Sequence, residues 1–247
     1  MTCHCHSKAG SRLNVSEFPF RIVGFDLDGT LVDSSGDLAA SVNHVLAGLG
    51  RRPLAIEQVV RNIGGGGRRM LRLSLADAGV EDDAAFDTYY RQMLAYYADH
   101  IADATRPYPG MIEALDTLTR CGVRLAVVTN KVERLATKLL DALGLAHRFA
   151  TIIGGDSVAE GKPSPAPLHE MLRRLGNGPA AFVGDSAFDI DAARAARLPS
   201  IAVAFGFADR PAARLGADAV IDDYADLVPA LERLGDFSPA PASRRSG

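Results

Sequence analysis

Phe20-Arg21-Ile22-Val23-Gly24-Phe25-Asp26-Leu27-Asp28-Gly29-Thr30 is an apolar run that breaks off into two acids and a glycine. Its apolar half, Arg21 to Phe25, is short and stops abruptly at an acid, which predicts a buried parallel strand. Asp26 and Asp28 stand at i and i+2, so both carboxylates leave the strand end on the same side. Gly29 lets the backbone turn closely around a bound group.

Short apolar runs of the same kind recur at Arg124–Val128, Phe149–Ile153, Ala180–Val183, Ser200–Ala204 and Ala219–Ile221. Helix patterns lie between them. Met111, Ile112, Leu115 and Leu118 share one face, as do Val132, Leu135, Leu139 and Leu143, and Leu168, Met171, Leu172 and Leu175. Gly122, Gly144 and Gly176 stand where each of these helices should stop. Strand and helix in alternation predict an α/β fold, a doubly wound parallel sheet of Rossmann-like kind.

One region breaks the alternation. Residues 34–105 contain no convincing strand and four helix-like segments: an apolar stripe of Leu38, Val42, Val45, Leu46 and Leu49, a second of Ile56, Val59, Val60 and Ile63, and patterns over Arg68–Ala78 and Ala84–Ala102. An all-helical cap domain over 34–105, inserted after the first strand, lies over that strand's C-terminal edge, where open α/β sheets bind ligands. Residues 18–33 and 106–235 form the α/β core. Ser34-Ser35-Gly36 and Arg106-Pro107-Tyr108-Pro109-Gly110 are the expected hinges, close in space if the insert is one compact lobe. Residues 1–17 and 236–247 lack apolar periodicity and read as disordered tails. The Cys3-His4-Cys5-His6 run lacks the usual zinc spacings.

The chain has 247 residues, 47% hydrophobic and 23% charged, ample for a packed core without a disulfide or metal staple. Its formal charge of −3 argues against a nucleic-acid partner, and 6% aromatics with no Trp argues against base stacking. No apolar stretch reaches the roughly 20 residues of a membrane span. The N-terminal MTCHCHSKAGSR has no apolar h-region, so no secretory signal is read and the cytoplasm is the expected compartment. The three cysteines, Cys3, Cys5 and Cys121, do not make a disulfide framework. A monomer or a homodimer is expected.

Four strand ends each carry polar residues of a useful kind. The first ends in Asp26, Asp28, Gly29 and Thr30; the second in Thr129-Asn130, a hydroxyl and an amide able to donate to an anion. The loop after the third holds Lys162, a cation, before Pro163, and the fourth ends Gly184-Asp185-Ser186 with Asp189 one helical turn on. Read alone, Asp185 caps a helix and Asp28-Gly29 is a common turn. Read together, clustered carboxylates suit a hard cation such as Mg²⁺, and a Lys with neutral donors suits an oxyanion. Phosphoryl transfer to a carboxylate nucleophile fits that set.

The motif set Asp26-Leu-Asp28-Gly-Thr30, Thr129, Lys162 and Gly184-Asp185-Ser-Ala-Phe-Asp189 resembles the haloacid dehalogenase-like hydrolases, over about Phe20 to Leu234. The resemblance implies that Asp26 is the nucleophile and Asp28 the general acid and base. It implies that Asp26, the Asp28 carbonyl and Asp185 bind Mg²⁺ with Asp189 in support, and that Thr129 and Lys162 hold the phosphoryl oxygens. It also implies a helical cap. FDLDGTLVDS, YPGM, LAVVTNK, IGGD, KPSPAPL and FVGDS look like the bacterial phosphoglycolate phosphatases, which implies 2-phosphoglycolate as substrate, a small phosphorylated metabolite whose carboxylate is a second anion.

Gly64-Gly65-Gly66-Gly67-Arg68-Arg69 fits that second anion as a Gly-rich helix start followed by two cations, with Gly66, Gly67, Arg68 and Arg69 as substrate-binding residues beside Gly29, Thr30 and Asn130. Gly65 stands where such relatives commonly show Asn. A flexible cap loop with solvated Arg is the alternative reading. Other small sugar phosphates, pyrophosphate, a mutase resembling β-phosphoglucomutase and a non-catalytic phosphate-binding domain are the competing functions. The mutases tend to carry His where this chain has Leu38, and a decayed domain would usually have lost one of its acids. His44 reads as a packing residue, and His100, His147 and His169 have no partner identifiable from sequence. Cys121 reads as a small, partly buried residue. Lys131 either extends the Thr129-Asn130 site or sits at a solvated helix start.

Overall fold

A computed structural model describes residues 5–6, 12–13, 18–208 and 210–236. Six parallel strands form the central sheet: β1 (Ile22–Phe25), β2 (Arg124–Val128), β3 (Thr151–Ile153), β4 (Ala180–Gly184), β5 (Ser200–Val203) and β6 (Ala219–Ile221). Their order across the sheet is β6-β5-β4-β1-β2-β3. The order therefore reverses at β1, which pairs with β2 on one side and β4 on the other. That is the topological switch point, and the crevice beyond its carboxyl ends is where such sheets take ligands.

Period-two burial explains why β1 tolerates no polar residue. Val23 and Phe25 join one cluster with α5 (Met111–Arg120) and α9 (Leu227–Asp236), and Ile22 joins the other with α7 (Ala166–Leu175) and α8 (Ala187–Ala196). A methyl group on Gly24 would meet Met171 Sδ at 2.6 Å, so the missing side chain lets α7 lie close on the sheet. α6 (Glu133–Ala142) follows β2 and buries Leu135, Ala136, Leu139 and Leu140.

Between β1 and β2 the chain inserts α1 (Ser35–Gly48), α2 (Ile56–Val60), α3 (Gly67–Asp77) and α4 (Phe86–Asp99). The two connections are joined: Val32–Asp33 pairs antiparallel with Arg106–Pro107. Asp37, in the first turn of α1, locks them further. Its carboxylate accepts hydrogen bonds from Ala104 N at 2.9 Å, Thr105 N at 2.8 Å and Thr105 Oγ1 at 2.6 Å. Tyr96 of α4 stacks between His44 and His100, ring centroids 4.3 Å away on each side, and His100 Nδ1 lies 2.8 Å from Asp103. His100 thus has two local partners, Tyr96 one turn back on α4 and Asp103 three residues on.

Differences from the sequence reading are local. The third strand starts at Thr151 rather than Phe149, because Ala146–Arg148 forms a 3₁₀ turn that ends at Phe149. Segments 1–17 and 236–247 lie outside the described residues, apart from Asp236 at the end of α9 and the two-residue strands Cys5–His6 and Arg12–Leu13. Those strands pair antiparallel and correct the expectation of a structureless tail at these four residues. Such a ladder is made by backbone groups and needs no apolar periodicity. Among the described residues no helix is long and apolar enough to cross a membrane.

Replacing Asp37 with Ala strips the acceptor from three donors beside a buried Thr105, and each orphaned donor costs about 1–3 kcal/mol. Asp37→Ala should lower the unfolding free energy by about 3 kcal/mol in urea titrations, with Asp37→Asn recovering part of the loss. A change below about 0.5 kcal/mol, the scale of an ordinary surface substitution, would show that Asp37 is not the latch.

Candidate active site

The site starts where β1 ends. Asp26 N still donates to Val183 O of β4 at 2.9 Å, continuing the ladder for one residue. The chain then wraps around the Leu27 carbonyl, which accepts from Thr30, Leu31 and Val32 N. Gly29 turns with φ +85°, and a Cβ there would lie 2.5 Å from Asp185 Oδ2. Left-handed geometry and the carboxylate at close quarters both demand glycine. Thr30 is buried with its Oγ1 donating to Asp185 Oδ1 at 3.0 Å, while Phe207 N donates to Asp185 Oδ2 at 2.7 Å. Thr30 thus positions Asp185, and the bare backbone of Gly29 leaves that carboxylate room.

Lys162 gathers the neighbouring strand ends. Its Nζ donates to Val128 O at 2.8 Å and Asp189 Oδ1 at 2.6 Å, and lies 2.9 Å from Asp26 Oδ1. The last contact is a charge pair without hydrogen-bond alignment, so buried Asp26 Oδ1 keeps no hydrogen bond. The other oxygen of Asp189 accepts from Ser186 N at 3.0 Å and Ser186 Oγ at 2.6 Å, a capping box that starts α8. Asn130 fixes the Lys162 loop: its Oδ1 accepts from Lys162 N at 2.8 Å and its Nδ2 donates to Lys162 O at 2.9 Å and Gly64 O at 3.0 Å. The expectation of Asn130 as an anion donor is therefore corrected. Its amide protons are committed to backbone carbonyls of two loops that only the fold brings beside it.

Three buried carboxylates face one another, with one oxygen each from Asp26, Asp185 and Asp189 mutually within 4.8 Å. Burial pushes the Asp26 carboxyl up to about 6 against the pull of Lys162, with the Asp189 charge adding to the rise. Burial and the charges of Asp189 and Asp26 raise Asp185 well above the usual carboxylate range, opposed by Phe207 N and Thr30. Burial works against the charge of Lys162, but Asp189 and Asp26 outweigh it and keep the ammonium. Three acids against one ammonium leave negative charge uncompensated in a dry place, and an all-oxygen donor set suits a hard metal ion.

A cavity opens from these strand ends toward the insert. Asp26, Asp28, Thr129, Asn130 and Lys131 line its floor; Leu38, Gly64, Gly66, Gly67, Met70, Tyr90, Met93 and Tyr97 line the insert side. Lys131 is not at a solvated helix start. It is 9% exposed, and its Nζ donates to both Asp28 oxygens at 2.9 and 2.8 Å, while Ser34 Oγ donates to Asp28 Oδ1 at 2.6 Å. Gly66, with φ +87°, and Gly67 begin α3 at the cavity edge. Arg68 and Arg69 are absent from the lining: Arg68 pairs with Asp87 at 2.6 Å and lies over Tyr90, and Arg69 lies over Phe188. Both point out of the cavity because consecutive positions at the start of a helix project sideways, away from the face that Met70 buries.

The raised Asp26 pKa has a definite sign in stability. A carboxylate whose folded pKa of about 6 exceeds its unfolded 3.8 favours the folded state at low pH, and that contribution is lost as pH rises from about 4 through 6. A divalent cation that neutralises the cluster should therefore raise the melting temperature more at pH 7.5 than at pH 5, with Mg²⁺ and Mn²⁺ as probes. In thermal-shift titrations Asp26→Asn should flatten that pH difference. Equal shifts at both pH values would sink this account of the cluster.

Comparison with known proteins gives three findings. The profile of the haloacid dehalogenase-like hydrolases matches residues 23–203. The chain is 43% identical over 222 residues to a phosphoglycolate phosphatase of Agrobacterium fabrum, covering 88% of this chain and 95% of that one, and 41% identical over 236 residues to phosphoglycolate phosphatase 1 of Pseudomonas aeruginosa, covering 91% and 86%. A crystal structure of a predicted phosphoglycolate phosphatase from Haemophilus somnus superposes with a TM-score of 0.82 at 34% identity, covering 86% of this chain and 98% of that one. The matched span runs from β1 through β5 and takes in every carboxylate of the cluster, so the chain belongs to the haloacid dehalogenase-like hydrolase family.

Proposed function

We propose that this protein is a Mg²⁺-dependent phosphomonoesterase whose substrate is 2-phosphoglycolate, released as glycolate and phosphate. One observation carries the chemistry: Asp26, paired with Lys162 at 2.9 Å and clustered with Asp185 and Asp189, lines the floor of a cavity that Asp28 also lines. The substrate rests on relatives at 41–43% identity that bear the name phosphoglycolate phosphatase.

In the first half-reaction an Asp26 oxygen attacks phosphorus and the bond to the ester oxygen breaks, leaving an aspartyl phosphate. Asp28, protonated at that point, gives its proton to the departing alkoxide. In the second half Asp28 takes a proton from water as the water oxygen attacks phosphorus, which frees phosphate and restores the Asp26 carboxylate. Lys162 and the Thr129 hydroxyl steady the phosphoryl oxygens. Asp26, Asp185 and the Asp28 carbonyl would hold Mg²⁺, which supplies positive charge against the nucleophile and the phosphoryl group when bound. Asp189 supports that set by holding Lys162 and starting α8. The insert acts as a cap over residues 34–105 that excludes bulk water.

Phosphate release from 2-phosphoglycolate, β-glucose 1-phosphate, 3-phosphoglycerate, pyrophosphate and a chromogenic ester tests this reading, with and without Mg²⁺. The expected result is a dominant Mg²⁺-dependent kcat/KM for 2-phosphoglycolate, lost by roughly three orders of magnitude or more in Asp26→Asn. Substantial turnover by Asp26→Asn would refute the nucleophile. Flat activity across the panel would keep the chemistry and reject the substrate.

A further inference from the structure

We propose that Lys131, assisted by the Tyr97 hydroxyl, is the residue that reads the second anion of the substrate, a carboxylate carried two atoms beyond the ester oxygen. The inference rests on the phosphatase reading above and names the group that makes it selective. Among the described residues lining the cavity Lys131 is the only cation: Lys162 lies beneath the lining, beside Asp26 and Asp189 where the phosphoryl group is held, and Arg68 is turned to Asp87 outside.

Its position matches the geometry of a two-carbon acid. The departing ester oxygen lies against Asp28, which must protonate it. Lys131 ends on that same carboxylate, with Nζ within 2.9 Å of both oxygens. A carboxylate joined through one CH₂ to the ester oxygen therefore falls within reach of the ammonium. Nζ carries three N–H bonds and rotates freely about its stem, so it can share between Asp28 and a second carboxylate.

A second, independent feature points to a ligand here. Tyr97 Oη is buried in a residue only 2% exposed, lies in the cavity lining, and has no hydrogen-bond partner. The ammonium sits 4.5 Å from the centre of the Tyr97 ring, so the phenol and Nζ address the same volume. A buried phenolic hydroxyl normally finds a partner, and an unused one beside a buried cation is a donor pair awaiting an anion. Burial of Lys131 with Asp28 points the same way. An ion pair in a dry site stabilises little compared with apolar packing, so fold stability gives no reason for a lysine at this place.

The test compares 2-phosphoglycolate with ethyl phosphate, which has the same two-carbon alcohol skeleton without the carboxylate. Whatever Lys131 does for Asp28 acts on both esters alike, so the ratio of their kcat/KM values isolates the carboxylate. Lys131→Met should lower that ratio by at least about tenfold, the scale of one lost specificity contact. Tyr97→Phe, which removes a single oxygen and keeps the ring, should lower it about threefold even if Lys131→Met folds poorly. Lys131→Arg should restore part of the ratio. Proportionate losses on both esters in both variants would overturn the proposal while leaving the phosphatase reading intact. A wild-type enzyme that treats the two esters equally would overturn it as well. Phosphate release from neither ester would sink the phosphatase reading, and the anion site with it.

Discussion

The buried Lys162 ammonium holds the reactive edge of the sheet together. With its side chain 1% exposed, it sits among the Val128 carbonyl, Asp189 and Asp26, and so ties the ends of β1 and β2 and the first turn of α8 to one charge. Asp26 and Asp189 tolerate burial side by side only because that cation stands between them. The compensation is partial, as the raised Asp26 and Asp185 carboxyls show. A cluster left short of positive charge is poised for a metal ion and for chemistry on an anionic ester, where a balanced cluster would be inert.

Steric economy around Asp185 and Asp189 serves the same end. A Cβ on Gly184 would fall 2.3 Å from Asp189 Cβ, and one on Gly206 would fall 2.2 Å from Asp185 Cβ. Bare backbone at those two positions lets the acids approach the sheet edge closely enough to meet Asp26. The acids are then held by short polar contacts, Thr30 and Phe207 N for Asp185 and the Ser186 cap for Asp189. Preorganisation of this kind costs nothing at the moment of reaction, because the dipoles already point where charge develops.

The helical insert is bound to the core by packing as well as by the Asp37 latch. One continuous apolar cluster runs from Phe25 and Val127 in the sheet through Leu38 and Val42 of α1 to Met70 and Tyr97. Its inner surface is mostly apolar, so the polar groups that face the cavity belong largely to the strand ends. Chemistry sits on the rigid sheet and enclosure on the helices, a division in which selectivity falls to the few polar atoms at the seam.

Much of this was legible in the sequence. Short apolar runs ending in acids, separated by helices of period 3.6, fix a parallel sheet with its polar ends on one edge, and a gap of some seventy residues without a strand fixes an insert. Asp26, Asp28, Thr129 and Asp185 stand out because each lies at or just past a strand end, with Lys162 in the loop after the third strand and Asp189 one turn into the helix after the fourth, positions set by local pattern. Partners across the fold carry no such signal. Nothing near Asn130 in the chain shows that its amide clasps Lys162 and Gly64. Asp37 looks like any acid in a first helical turn, and the direction of Arg68 is decided by Asp87, nineteen residues on. Local pattern leaves Lys131 balanced between site and solvent; burial and the pair with Asp28 place it in the site. Short-range periodicity is enough to establish the elements, their order and the acids near their ends. Which charge meets which is settled by folding, because ion pairs and hydrogen bonds depend on distances of about 3 Å between residues far apart in the chain.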